Sequence, residues 1–207
     1  MTPVPFSALH NLVLPYLPGA EPGIVDSHAR KVARDFLKRT TLLREDFEFT
    51  TVPGVSTYAL TPTFGQVSSV MAAWVDGHAN PLAVATEERR AAVASGPPRA
   101  WWTMVPHLFS LWPTPDGEHH VRVNAALSLK LDDTTIPQHI LDHHAEAIAA
   151  GILSMMYAMP GKPWTQRQSA ESAGRQYAGA VRTVRATARE GGQPNHTTFI
   201  AARRFGR

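Results

Sequence analysis

Helical and strand-like hydrophobic patterns occupy separate stretches of this sequence, and their separation constrains the fold more than any other feature. Residues 24–43 carry apolar side chains at helical spacing. Residues 45–129 change to short alternating segments that end at Pro and Gly, and residues 137–189 return to two helical patterns divided by a Pro-Gly-Lys-Pro break. This order predicts an α+β fold, because a βαβ fold would alternate helices and strands along the chain.

The predicted architecture is a helical layer with an inserted antiparallel β lobe and an extended C-terminal tail. We expect the N-terminal helix to pack on the C-terminal two-helix hairpin, so that the β lobe projects from a single layer of helices. The chain is divided accordingly into an N-terminal segment and helix at 1–44, the β lobe with a short helix at 45–131, the helical hairpin at 132–190 and the tail at 191–207.

Two hairpins are predicted within the β lobe. Gln66–Val75 is a strand pattern followed by an Asp-Gly pair, a strong turn signal, so we expect His78–Val84 to return as its partner. Leu108–Trp112 and His119–Leu129 are two further strand patterns, and the Pro-rich stretch between them is interpreted as a hairpin connection.

The residues that most chemistry requires are missing. The sequence has no Cys, which excludes disulfides, thiolate zinc sites, iron–sulfur clusters and cysteine nucleophiles. It contains neither a phosphate-binding glycine motif nor a Ser-His-Asp set with a nucleophile elbow. No apolar run approaches the length needed to cross a bilayer. We therefore expect no enzyme, no cofactor and no membrane association.

A cluster of His and acidic residues marks the first helix of the hairpin. His139 and His143 are four residues apart, so they share a helix face on which a zinc ion is conceivable. Ile140 occupies the position at which a metalloprotease helix carries its catalytic Glu. We therefore prefer a polar helix face or a subunit contact that includes Glu146, and keep a zinc hydrolase as a third alternative.

Positive charge collects at the C-terminal end. From Arg167 onward the chain has eight Arg and two Glu, within a total net charge of +3. A basic end predicts an acidic partner. Arg175, Arg182, Arg185 and Arg189 form one stripe along the second helix of the hairpin. An alternative function is therefore a nucleic-acid-binding module that uses this helix.

A series of short segments follows in a recognisable order. They are Ala29–Phe36, Tyr58–Pro62 before Val75–Gly77, Pro98–Trp102 leading to Leu108–Asp116, Val121–Leu127, and Ile136–Gly151 followed by Pro160–Trp164. This arrangement resembles the head-to-tail adaptor proteins (connector or gatekeeper type) of tailed bacteriophages, especially those of short-tailed phages. The resemblance covers approximately residues 24–189.

The resemblance implies a virion structural protein rather than an enzyme. Such adaptors form a ring, usually dodecameric, beneath the portal protein, and they join it to a downstream tail protein, either a nozzle or a tail tube. DNA leaves through the ring without being recognised by sequence. The location implied is the head–tail interface of the virion, after synthesis in the host cytoplasm. The family has no catalytic, cofactor-binding or metal-binding residues to carry over.

The resemblance also implies two contact regions. The extended tail is expected to dock onto the portal through apolar anchors and complementary charge, which assigns this role to Phe199, Ile200, Arg203, Arg204, Phe205 and Arg207. The helical layer is expected to pack subunit against subunit, with candidate residues His139, His143, Glu146, Arg175, Arg182 and Arg185. The β lobe would face the next tail component, and residues 1–23 receive no role.

Overall fold

The computed structural model describes residues 2–88 and 94–189, and within them the chain has the predicted α+β fold. The α-helices are α1 (His10–Val13), α2 (Pro22–Thr40), α3 (Gln138–Tyr157) and α4 (Arg167–Arg189), with 3-10 turns on either side of α1 at Phe6–Leu9 and Leu14–Tyr16. The strands are β1 (Pro3–Pro5), β2 (Arg44–Thr50), β3 (Thr57–Ala59), β4 (Gln66–Val75), β5 (Ala83–Val84), β6 (Ala100–Thr103), β7 (Leu108–Trp112), β8 (His120–Ser128) and β9 (Thr135–Pro137). None of the described helices is both long and apolar enough to span a membrane.

Helices α2, α3 and α4 pack against one another, as the helical-layer prediction requires. Helix α2 starts with a Pro in its first turn and ends before the predicted Leu43, because Thr41 adopts a left-handed conformation with φ 51°. The three helices meet at Gly151. A Cβ there would lie 2.5 Å from a Val32 methyl carbon and 2.9 Å from the Tyr177 ring, so only Gly allows this approach.

The β lobe consists of two sheets rather than one. The first has the antiparallel order β2-β8-β4, and the second has the order β3-β7-β6-β5, in which β5 and β6 run parallel. Aromatic rings join the sheets: Phe49 of the first sheet stacks on Tyr58 of the second at 4.7 Å between centroids and meets Phe109 at 6.2 Å. One hydrophobic core continues from these rings into the helical layer.

Both predicted hairpins are wrong. The turn after β4 forms, with positive φ at Asp76 and Gly77, but β4 pairs with β8 and not with His78–Val84. The expected partner contains Pro81, which has no N–H to donate to a ladder. Strands β7 and β8 also lie in different sheets. Strand β7 instead takes its place between β3 and β6, where Phe109 stacks on Trp101.

The Pro-rich N-terminus is an integral part of the fold. Strand β1 pairs antiparallel with β9, immediately before α3, and the Gln138 N–H donates to the Thr2 carbonyl at 2.9 Å. The turns that follow place four apolar side chains in the core: Phe6, Leu9, Val13 and Leu17. Part of the predicted short helix falls on residues 89–93 and the whole tail on 191–207, and both ranges lie outside the described residues.

A hydrogen-bonded cluster around His119 closes one end of the three-stranded sheet. Its Nδ1 lies 2.7 Å from an Asp76 carboxylate oxygen, and its Nε2 lies 3.5 Å from Asp116. Asp76 also accepts the His120 N–H at 2.9 Å. The hydrogen bond with Asp76 raises the pKa of His119, and the same bond lowers the pKa of Asp76.

The His119 cluster predicts a pH-dependent contribution to stability. A raised folded-state pKa means that the bond contributes fully below the unfolded pKa of about 6.5 and is lost as pH rises through the folded value. The stability difference between the wild type and His119→Gln should therefore shrink as pH is raised from about 6 through the folded pKa of His119. Urea unfolding across this range measures it, and a difference that is constant with pH would contradict the assignment.

The close approach at Gly151 predicts opposite effects for two helical glycines. Gly151→Ala should lower the free energy of unfolding by about 1–3 kcal/mol, because its Cβ overlaps Val32 and Tyr177. Gly179→Ala is the matched control: its Cβ meets nothing within 4 Å, so the variant should gain about 0.5–1 kcal/mol of stability. Urea unfolding of both variants checks the pair, and shifts of the same sign would refute the packing argument.

Candidate functional site

The N-terminal half of α3 presents a polar face to solvent. His139, Asp142, His143 and Glu146 are exposed, while Ile140 and Ile148 point into the core. Spacing of three and four residues keeps the exposed set on one face. His144 lies off this face, with its ring 5.4 Å from that of Phe36. Burial lowers the pKa of His144, and the neighbouring His143 and His139 add to the effect.

The structure gives the zinc interpretation no further ligand. Among residues 2–88 and 94–189, no group of three or more His, Cys, Asp or Glu side chains is arranged to hold a metal ion. His139 and His143 thus stand on an exposed helix face without a third protein ligand in the described part of the chain. A structural zinc site takes four ligands and a catalytic one takes three plus water.

The outer side of α4 is basic and largely unneutralised. Arg175, Arg182 and Arg185 are exposed, and none of the three joins a hydrogen bond or ion pair with a described residue. Near the start of the helix, Arg167 pairs with Glu171 at 3.7 Å. Small residues beside Arg175 and Arg182, namely Gly174, Ala178 and Gly179, leave a shallow depression there. Three residues of the predicted arginine stripe are therefore exposed on α4. The fourth, Arg189, has a side chain that the structure does not describe.

The candidate interface residues on α3 and α4, apart from Arg175, lie at the same end of the hairpin. The two helices run antiparallel: Ser154 donates to the Ala170 carbonyl at 3.0 Å, and Gly151 contacts Tyr177. Counting back along α3 and forward along α4 from these contacts brings Glu146 level with Arg182. The sequence grouped these residues by type. The helix pairing places all of them except Arg175 at the end of the hairpin away from its connecting loop, and Arg175 lies level with Gly151.

The far end of α4 is fixed to the β lobe by Arg44. The Arg44 guanidinium donates to the Ala188 carbonyl at 2.8 Å and to the Thr41 carbonyl at 2.9 Å. Carbonyls at a helix C-terminus have no partner within the helix, so a cation there satisfies one and complements the helix dipole. The position of the arginine face relative to the sheets thus depends on a residue that the sequence analysis gave no role.

The six residues of the predicted docking tail all lie outside the described part of the chain: Phe199, Ile200, Arg203, Arg204, Phe205 and Arg207.

Comparison with known proteins assigns the chain to a family. The family model described as "SU10 adaptor protein" matches residues 11–198, from α1 through α4 and into the tail. The chain belongs to the SU10 adaptor protein family. Membership confirms the interpretation of the sequence as a bacteriophage adaptor protein, a structural component of the virion. No curated protein sequence matched the chain.

Two arginines provide a contrast between a structural and a surface role in this SU10 adaptor family member. Arg44→Gln removes two hydrogen bonds from a charged donor to backbone carbonyls and should lower the free energy of unfolding by about 1–3 kcal/mol. Arg182→Gln removes no described contact and should change it by less than about 0.5 kcal/mol. Chemical unfolding of both measures the contrast, and a large loss in Arg182→Gln would show that the α4 face has a partner within the subunit.

Proposed function

We propose that this protein is the head-to-tail adaptor that joins the portal to the tail, and that its copies form a ring through which DNA leaves the head. The family match over residues 11–198 carries this proposal. By resemblance to the connector proteins of short-tailed phages, the ring is dodecameric. A ring of identical subunits needs one surface of each copy to bind a different surface of the next.

The exposed face of the helical hairpin is proposed as one side of the subunit contact. His139, His143 and Glu146 of α3 and Arg175, Arg182 and Arg185 of α4 are all exposed, and all but Arg175 lie at one end of the hairpin. The three arginines have no partner among the described residues, and charged groups without partners in the subunit are suited to a partner outside it. Their exposure supports this assignment.

The two ends of the subunit are proposed to meet different proteins. The tail, with Phe199 and Phe205 as apolar anchors, docks onto the portal. The β lobe faces the next tail component, a nozzle or tail tube. Met104, at the turn between β6 and β7, is 90% exposed, and Val105 beside it is also exposed, which supports a protein contact at this tip.

A nucleic-acid-binding module is the alternative function that one observation favours. The exposed and unpaired arginines of α4 are arranged to contact phosphates along a backbone. Such a module binds DNA as a free subunit, with an affinity that falls steeply with salt, and needs no portal.

Reconstitution with the portal tests the proposed function. The purified chain is mixed with the portal ring encoded by the same genome and imaged by electron microscopy. We expect a second ring stacked on the portal, and we expect it to disappear when the chain is truncated after Gln193. Two double variants separate the apolar anchors from the charge. Phe199→Ala with Phe205→Ala removes the anchors, and Arg203→Gln with Arg204→Gln removes the charge.

Failure to bind would be informative in each case. A full-length chain that never stacks on the portal would refute portal docking and favour the nucleic-acid alternative. Stacking that persists after truncation would keep the adaptor role but move the docking surface out of the tail.

A further inference from the structure

The outward side of α2 forms a basic groove that the sequence analysis gave no role. Arg30, Lys31, Arg34 and Lys38 line it, and Leu131 lies at its rim. The groove has a volume of about 320 Å³. From Arg30 to Lys38 the helix rises about 12 Å, so the positive charge extends over more than two turns.

Within the described residues, no ion pair neutralises the basic side chains of this groove. Asp35, the carboxylate that lies in the groove, already accepts the Tyr177 O–H at 2.8 Å and an Arg39 N–H at 3.3 Å. Burial raises the pKa of Tyr177, so its hydroxyl stays a donor. None of the four basic residues of the groove takes part in an ion pair with any described residue.

The rim of the basic groove is apolar, which favours a protein partner. The Leu131 side chain is 72% exposed, and its carbonyl accepts an Arg30 N–H at 3.4 Å. Lys130 and Asp132 on either side of it are exposed and of opposite charge. A large exposed apolar side chain beside fixed positive charge suits an acidic protein surface better than a phosphate backbone, whose contacts are mainly charged.

A matching acidic surface is present on α3 of the same chain. Asp142 and Glu146, which we call the acidic pair, are exposed, are one helical turn apart and join no ion pair among the described residues. Arg34 and Lys38 of the groove have the same four-residue spacing, about 6 Å along the helix axis. The two positive charges on α2 can therefore meet the two negative charges on α3 of another copy at equal spacing.

The subunit cannot bring these two surfaces together itself. Helices α2 and α3 pack on each other through their buried sides, with Val25 and Ile148 fully buried. The basic groove and the acidic pair face solvent on different helices of the layer. The two surfaces differ in charge and position, as the two sides of a heterologous contact must. Within the exposed face of the hairpin, the groove therefore meets the acidic pair of α3 and not the arginines of α4, whose like charge would oppose it.

We propose that the basic groove of one copy docks on the acidic pair of the next copy, which gives the second half of the subunit contact in the ring. This inference rests on the proposed function, since it needs a ring. In each interface Arg34 then lies opposite Asp142 and Lys38 opposite Glu146, with Leu131 covered at the edge. The contact repeats in one direction around the ring until it closes.

Charge reversal with rescue tests the pairing. Arg34→Glu with Lys38→Glu, or Asp142→Lys with Glu146→Lys, should reduce the fraction of portals that carry a second ring at least about tenfold, because like charges then meet. A chain with all four substitutions should recover assembly, since every interface again pairs opposite charges. Glu87→Lys with Glu88→Lys, exposed on the β lobe, makes the same charge change as the acidic-pair variant and should assemble normally.

Cysteine cross-linking gives a readout that does not depend on charge. The sequence has no Cys, so any disulfide comes from introduced residues. A chain with Lys38→Cys and Glu146→Cys should form a ladder of cross-linked oligomers when assembled and oxidised. Each single-Cys variant should not, because a heterologous contact does not bring like positions together.

The outcomes separate this inference from the proposed function. Melting temperatures of the free variants identify any that fail to fold, and for those the cross-link decides. Three results would overturn the pairing while leaving the adaptor role intact. They are charge-reversal variants that assemble as well as the wild type, a four-substitution chain that does not recover assembly, and a double-Cys chain that forms no cross-linked ladder. Reversals that abolish DNA binding without affecting assembly would assign the groove to DNA and likewise overturn it.

Discussion

The contact at Gly151 sets the geometry on which the rest of the molecule depends. Val32 of α2 and Tyr177 of α4 both approach α3 at this point, where there is no side chain to keep them apart. The approach brings the Tyr177 hydroxyl to Asp35, which links α2 and α4 a second time. The outer sides of the three helices then carry mainly polar and charged residues, because their apolar positions are used inside. Helix packing thus decides which charges face outward.

The helical layer and the sheets share one core, so neither is an independent platform. Helix α2 runs through Thr41 into β2, and β2 pairs with β8 at the centre of its sheet. Arg44 ties the end of α4 to the same junction. An adaptor that contacts different proteins at its two ends needs such stiffness, because a loose joint would let one end move without the other.

Local pattern predicted the elements, and tertiary competition decided their partners. Gln66–Val75 forms the predicted strand, because its alternation and its Asp-Gly end are local properties. Its ladder partner is the distant strand β8, whereas the segment interrupted by Pro81 gives β4 a single backbone hydrogen bond, from the Leu82 N–H to the Ala73 carbonyl. The pairing of β1 with β9 joins residues far apart in sequence and left no periodic signal. Likewise the polar face of α3 follows from spacing, whereas the exposure of Leu131 beside the basic residues of α2 depends on how a loop packs on a helix.

The pairing of β1 with β9 has a practical consequence for anyone who handles this protein. Thr2 is held against Gln138, so this end of the described chain lies at the start of α3, one residue from His139. An affinity tag or fluorescent label added at that end would stand beside the polar face of α3. Preparations that carry one and those from which it has been removed are therefore not equivalent samples for assembly work.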